Sequence, residues 1–391
     1  MKLLNQQNPL PLVVLWLVQV SFVLFLTAIN PNHFTTIDSG FYLQSASMLL
    51  QGKGYTYLDQ GQLIWNGIFP MGYSAAIAAV SWLSGLPVLW ASKAVNLLAS
   101  GTFLGLLYRW FGTRRAVFSG LILLLGPFLK LWAHTWSEPL FLVLLFGWAY
   151  LFFNHPSHYL PLFFLGLSLI LVRYAGLFII SLSGLMAIQD FRQMRVNVGK
   201  IRLGLTLIWL VFFGSYLVLN FQKSGLWFGG ERFSGDVPLS DTFLLFGKGL
   251  LNELLLARDS DFTSPDLLFW LALLAQILLF SILINQWRAT HFWPKPPQFV
   301  SIPAFFYLIF LLILRLISPF DAPGFRLLSP LSFLVYWGIM FKLESFNFTK
   351  TSSWAAIGLL LLSWLHILPQ TNLNTKLAAG AALLRQILAF H

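Results

Sequence analysis

Hydrophobic segments of about 20 residues recur along the whole chain and are separated by short polar stretches. A helix of that length crosses the roughly 30 Å hydrocarbon layer of a membrane. The pattern therefore predicts an all-α, polytopic transmembrane helical bundle of about eleven spans. The predicted spans are 10–30, 91–111, 116–134, 138–153, 160–174, 175–190, 202–221, 265–285, 299–318, 326–341 and 352–368.

Two of these spans, 160–174 and 175–190, are half-length and meet at Arg173 and Tyr174. Where two half-helices meet inside a membrane, the freed backbone groups need polar partners. The joint therefore indicates a polar cavity.

The segment 69–88 is long enough to cross the membrane, but Pro70 and Pro87 bracket it. If it lies on the outer surface, the short basic loops fall on the side of the N-terminus, as the positive-inside rule requires. If it crosses, the same loops face outward. We therefore expect a cytoplasmic N-terminus and a first external loop, 31–90, that carries juxtamembrane helices.

The rest of the chain is expected to belong to the same single domain, residues 1–391. A second long external loop is predicted at 222–264. The tail 369–391 is read either as a surface-lying amphipathic helix or as a disordered end. Since Leu10–Ile29 lacks a signal-peptide cleavage site, it is expected to remain as the first span.

The composition excludes a soluble protein, because 58% of the residues are hydrophobic and only 9% are charged. The absence of cysteine excludes disulfides and thiolate metal sites. In a membrane protein the +11 net charge reports basic cytoplasmic loops that meet anionic lipid, so no nucleic-acid partner is expected. The expected location is a bacterial-type plasma (inner) membrane.

Two acids stand at the mouths of predicted helices, Asp38 just after the first span and Glu138 at the start of the fourth. Charged groups are costly near the membrane interior, which makes them functional candidates. A pair of carboxylates can take a proton from an attacking hydroxyl or hold a divalent cation such as Mg or Mn. The alternatives are that Asp38 caps a helix over 38–50 and that Glu138, before Pro139, is a helix-start charge.

Arg173, Arg232 and Arg326 lie on the same predicted side of the membrane as the two acids. The planar guanidinium fork suits phosphate oxygens, although each arginine alone also fits a residue that snorkels to the interface. Gly52-Lys53-Gly54 lacks the context of a nucleotide-binding loop. A lipid-linked donor is therefore favoured over a cytosolic nucleotide sugar.

Seven short motifs follow one another along the chain: Asp38-Ser39-Gly40-Phe41-Tyr42, Gly52-Lys53-Gly54-Tyr55, Pro70-Met71-Gly72-Tyr73, Trp136-Ser137-Glu138-Pro139, Arg173-Tyr174-Ala175-Gly176, Gly229-Gly230-Glu231-Arg232 and Phe320-Asp321 through Arg326-Leu327-Leu328-Ser329-Pro330. In this order they resemble the motifs of the polytopic glycosyltransferases with the GT-C fold. The likeness is to the protein-mannosyltransferase and aminoarabinose-transferase branch, glycosyltransferase family 39.

The resemblance implies transfer of a sugar from a polyprenyl-phosphate carrier to a lipid, glycan or protein acceptor on the external face, with inversion. It makes Asp38 the catalytic base or the residue that orients the acceptor, and Glu138 its assistant or a metal ligand, and leaves the metal requirement open. The other implied residues bind substrate: Tyr42, Lys53, Tyr55, Arg173, Tyr174, Arg232, Asp321 and Arg326. Two other readings stay open, a transporter of a lipid-linked sugar and a non-catalytic membrane scaffold.

Overall fold

A computed structural model of the chain describes residues 8–229, 238–260, 266–289, 297–317, 326–343 and 349–368. Arg232, Asp321 and the tail 369–391 lie outside these residues. The described helices up to the joint are α1 (Leu10–Ile29), α2 (Ile37–Leu50), α3 (Gly72–Ser84), α4 (Val88–Gly120), α5 (Gly126–Ala133), α6 (Glu138–Asn154) and α7 (Tyr159–Val172). Those after the joint are α8 (Phe178–Arg192), α9 (Val196–Ser224), α10 (Leu239–Leu254), α11 (Leu267–Ala289), α12 (Gln298–Ile317), α13 (Ser329–Leu343) and α14 (Lys350–Trp364).

The protein is a multi-pass helical membrane protein, as predicted. Within the described residues, five helices are long and apolar enough to cross a membrane, or up to seven if each of two bent pairs is one span. This number is below the eleven predicted spans. One physical reason is length: α6 and α7, at the predicted spans 138–153 and 160–174, have 17 and 14 residues, and about 20 are needed.

The predicted span 116–134 is not one helix. The chain passes from α4 into a 3₁₀ turn at Leu121–Leu124 and then into the short helix α5. α5 and α6 meet at a bend of 114°. Pro127 sits in the first turn of α5, where its fixed backbone angle favours a new helix start.

The predicted first external loop contains α2, a β-hairpin and α3. The hairpin, β1 (Thr56–Asp59) with β2 (Gln62–Trp65), is the only sheet among the described residues and is a small addition to the predicted helical bundle. Gln60 and Gly61 have φ angles of 47° and 84°. Positive φ at both central residues is the geometry that two-residue hairpin turns require.

The joint between the predicted half-length helices lies where the sequence predicts it, but only the first helix is short. The segment after the joint, Tyr174–Arg192, is long and apolar enough to cross a membrane. α7 ends at Val172, Arg173 is extended, and a 3₁₀ turn over Tyr174–Leu177 leads into α8. Beside this joint, α6 runs through the centre of the bundle and packs on α4, α7, α12 and α13. The N-terminus of α6 therefore brings Glu138 to a buried position next to Arg173.

A candidate active site of carboxylates and arginines

The start of α2 is bonded to the α5–α6 segment, residues 134–137. The backbone N–H of Thr135 donates to the carbonyl of Phe34 at 3.1 Å. The Ser39 hydroxyl donates to the Thr135 carbonyl at 2.9 Å, and the Trp136 indole donates to Thr36 Oγ1 at 3.0 Å. These bonds hold the start of α2 against the start of α6. Asp38 of α2 and Glu138 of α6 are therefore brought close together.

Asp38 is not the cap of its helix. Thr36 is the N-cap, and its side chain and that of Ser39 each accept from the other's backbone N–H. This reciprocal pair satisfies the helix start. The Asp38 carboxylate is therefore left to face a different partner.

That partner is Arg326, which joins the two acids. Its Nη1 donates to Asp38 Oδ2, and its Nε donates to Glu138 Oε1. Arg173 forms an ion pair with the same Glu138 oxygen. Two carboxylates and two guanidinium groups thus meet in one cluster, and their formal charges cancel.

The cluster is buried on one side and open on the other. The Glu138 side chain is 0% exposed, and those of Arg173 and Arg326 are 10% and 22% exposed. Asp38 is 35% exposed. An incoming molecule therefore reaches the cluster from the Asp38 side.

Backbone and aromatic contacts fix Arg326. The Ser329 hydroxyl donates to the Arg326 carbonyl at 2.9 Å, and the Tyr307 hydroxyl donates to the next carbonyl, that of Leu327, at 2.8 Å. The guanidinium carbon lies 4.9 Å from the centre of the Trp136 ring. This geometry favours a cation over an aromatic face.

Tyr42 lies against the same cluster. It is buried, and its hydroxyl shares a hydrogen bond of 3.1 Å with Ser137 Oγ. Burial raises the pKa of Tyr42 to about 12. The phenol therefore stays protonated near neutral pH and keeps a proton to donate.

The other described residues predicted to bind substrate take different positions. Tyr55 is buried and donates to the Phe69 carbonyl at 3.1 Å. Tyr174 donates to the Gly67 carbonyl at 2.9 Å, so both phenols hold the first loop in place. Lys53 is exposed in the turn after α2, and no described contact joins it to the cluster.

The described donor set does not fit a divalent cation. No group of three or more His, Asp or Glu side chains with metal-site geometry occurs among the described residues. Asp38 and Glu138 direct their bonded oxygens at guanidinium groups instead. We therefore derive no catalytic step through a metal.

The sequence reasoning missed the residues that assemble the cluster. Thr36 and Ser39 carried a signal, since two hydroxyl residues three positions apart before an apolar run indicate a helix start. Ser137 lies within the Trp136-Ser137-Glu138-Pro139 motif but received no role of its own. Tyr307 carried no signal, because a single hydroxyl in an apolar segment has no distinctive spacing.

No protein-family model and no curated protein sequence matches the chain. Its fold matches the crystal structure of ArnT from Cupriavidus metallidurans in the apo state, with a TM-score of 0.53 and 19% sequence identity. It also matches ArnT from the same organism bound to undecaprenyl phosphate, with a TM-score of 0.50 and 17% identity. Each match covers 88% of this chain and 62% of the ArnT chain. The chain therefore has the fold that its motifs implied, and it spans less than two thirds of the ArnT length.

Proposed function

We propose that this chain is a membrane glycosyltransferase that moves a sugar from a polyprenyl-phosphate carrier to an acceptor hydroxyl. The observation that carries the proposal is the cluster in which Arg326 joins Asp38 and Glu138 beside Arg173. The shared fold with ArnT, one of whose structures holds undecaprenyl phosphate, supports a lipid-linked donor.

Asp38 is the proposed general base, since it is the carboxylate of the cluster that an acceptor reaches first. The acceptor hydroxyl gives its proton to Asp38 while its oxygen attacks the anomeric carbon of the sugar. The bond from that carbon to the phosphate oxygen breaks, and polyprenyl phosphate leaves with the bonding electrons. A single displacement of this kind inverts the anomeric carbon.

Arg326 and Arg173 are the proposed phosphate ligands. Because the four charges of the cluster cancel, an arriving phosphate has to replace a carboxylate as the partner of a guanidinium. The more exposed contact, between Arg326 and Asp38, is the one that exchanges. Stabilising the charge that grows on the phosphate lowers the barrier, and releasing Asp38 prepares the base.

Glu138 is proposed to hold the two arginines rather than to touch the acceptor. It is fully buried, and its Oε1 binds both guanidinium groups. Its Oε2 is buried and has no hydrogen-bond partner among the described residues.

The proposed reaction takes place at the non-cytoplasmic face of a bacterial-type inner membrane. This side follows from the charge pattern of the short loops and from the position of α2 and the hairpin in the predicted first external loop. The proposal also includes a pentose or hexose as the sugar and a lipid, glycan or protein as the acceptor. It places the N-terminus in the cytoplasm.

The test is transfer by Asp38→Asn in proteoliposomes. The assay supplies undecaprenyl-phosphate-linked pentoses and hexoses with an envelope extract as acceptor, and follows labelled product and released undecaprenyl phosphate. Loss of a general base lowers the rate about 10²–10⁴-fold. Asp59→Asn, an exposed acid of the hairpin turn, is the matched control and should transfer normally.

Near-normal transfer by a folded Asp38→Asn protein would remove Asp38 from the mechanism. Movement of the labelled donor across vesicles that lack any acceptor would favour the transporter reading instead. If substitutions of Asp38 and Arg326 both leave every measured activity unchanged, the scaffold reading holds.

A further inference from the structure

Lys93 is a buried lysine that the proposed reaction does not use. It lies in the second turn of α4 and is 1% exposed. Its Nζ donates to the Ala133 carbonyl at 2.7 Å and to Thr135 Oγ1 at 2.8 Å. It forms no ion pair with a carboxylate of the described residues. Burying a lysine amine without a carboxylate partner is costly whether the amine is charged or neutral, so we expect its two hydrogen bonds to have a structural role.

Two neighbours of Lys93 on α4 bind the same stretch of chain. Ser92 Oγ shares a hydrogen bond of 2.9 Å with Thr135 Oγ1. Asn96 Nδ2 donates to the His134 carbonyl at 2.8 Å and to the Trp132 carbonyl at 3.2 Å. We call these three α4 side chains the α4 clamp: Ser92, Lys93 and Asn96.

The clamped residues lead directly to the candidate active site. Thr135, which binds Lys93 through its hydroxyl, accepts from Ser39 of α2 through its carbonyl. Two and three residues later come Ser137, the partner of Tyr42, and Glu138, the partner of both arginines. Lys93 is thus connected through Thr135 to the start of α2 and to the start of α6.

We infer that Lys93 is a positioning residue that fixes the α5–α6 segment and thereby the place of Glu138 relative to Asp38. A long side chain with three donors suits this task because it crosses from α4 and satisfies a carbonyl and a hydroxyl at once. The expected effect of Lys93 on sugar transfer rests on the proposed function. Its expected effect on the stability of the α5–α6 segment does not depend on that function.

The test replaces Lys93 with Met, which keeps the length and removes both donated bonds. Hydrogen exchange of the ligand-free protein should become faster in peptides that cover 134–140. Transfer should fall about tenfold to a hundredfold, as expected for small misplacement of reacting groups. The matched control is Gln19→Met, which removes the buried bond from Ser100 of α4 to α1, away from the segment.

A second variant, Thr135→Val, keeps the inference testable if Lys93→Met does not fold. It removes the hydroxyl that Lys93 binds and should give the same pattern of exchange. If Lys93 acts through Thr135, the double variant Lys93→Met/Thr135→Val transfers no worse than Lys93→Met, whereas independent structural losses would add.

If hydrogen exchange over 134–140 is unchanged in the folded variants, the inference is wrong. It is also wrong if hydrogen exchange there becomes faster while the rate of sugar transfer stays the same. If the wild-type protein shows no transfer with any donor, the proposed function fails, and the exchange measurement alone still decides whether Lys93 fixes the segment.

Discussion

Asp38 and Glu138 share one guanidinium but differ in exposure, at 35% and 0% of their side chains. A buried charge that loses its partner stays uncompensated, whereas a half-exposed charge is stabilised by water. The two acids therefore have separable effects. Glu138 stabilises the buried arginines, and Asp38 is free to change partners.

Glu138→Gln should unfold more easily than the wild-type protein. The two guanidinium groups lose their shared buried counter-charge, which costs about 3–5 kcal/mol of unfolding free energy. Asp38→Asn is the matched control and should cost about 1 kcal/mol or less. Denaturant unfolding in detergent measures both, and equal losses would contradict the separation.

Arg326→Lys keeps the charge and loses the planar fork that binds Asp38 and Glu138 together. Binding of undecaprenyl phosphate should weaken about tenfold, the worth of one charge-assisted hydrogen bond. A titration followed by native mass spectrometry checks this. Arg195→Lys, whose exposed side chain pairs with the buried Asp190 of α8, should bind as the wild type does.

The charged members of the cluster can be predicted from sequence, but their meeting cannot. Asp38 and Arg326 are 288 residues apart, so only the order of the motifs suggests that they converge. The role of Lys93 could not be predicted from the sequence for a different reason. A single lysine inside an apolar helix has no period or spacing, and its two acceptors become visible only when α5 packs against α4.

At the scale of elements, the apolar pattern predicts helices well where polar residues mark their ends. The joint at Arg173 is such a case, since α7 and α8 flank it as predicted. The stretch from Gly120 to Ala133 is the opposite case, because it stays apolar through a 3₁₀ turn and a new helix. Gln60-Gly61 was the available signal for the hairpin, since a pair ending in glycine suits a two-residue turn between two short strands.

Two glycines allow backbone segments of the site to approach closely. A Cβ added to Gly72 of α3 would lie 2.7 Å from the Leu171 carbonyl oxygen of α7. One added to Gly176, in the turn after Arg173, would lie 2.5 Å from the Leu169 carbonyl oxygen. Backbone atoms cannot rotate away, so both contacts exclude a side chain.

Gly72→Ala should therefore lower the melting temperature and weaken transfer, because α3 has to move away from α7, the helix that ends just before Arg173. Gly105→Ala in α4 is the control, since nothing lies within 4 Å of its added Cβ. That change should be neutral or slightly stabilising, because alanine favours a helix over glycine by about 1 kcal/mol. A Gly72→Ala protein as stable as Gly105→Ala would contradict the close packing.

At the scale of the whole molecule, the proposed orientation in the membrane can be tested by cysteine labelling. Because the chain has no cysteine, each introduced cysteine is the only thiol that can react. Gln62→Cys in the hairpin should react with a membrane-impermeant maleimide on intact spheroplasts. Ser157→Cys, exposed between α6 and α7, should react only after permeabilisation. The opposite labelling would reverse the orientation and place the acids on the cytoplasmic side.

Under the proposed function, the contact between Arg326 and Asp38 acts as a safeguard. In the protein without donor, Asp38 is paired with Arg326. A water molecule that enters the site therefore meets no free base that could activate it. Asp38 becomes available as a base only when the donor phosphate replaces it as the partner of Arg326. At that moment the sugar is already bound at the site. Costly carrier-bound sugar is thereby protected from wasteful hydrolysis.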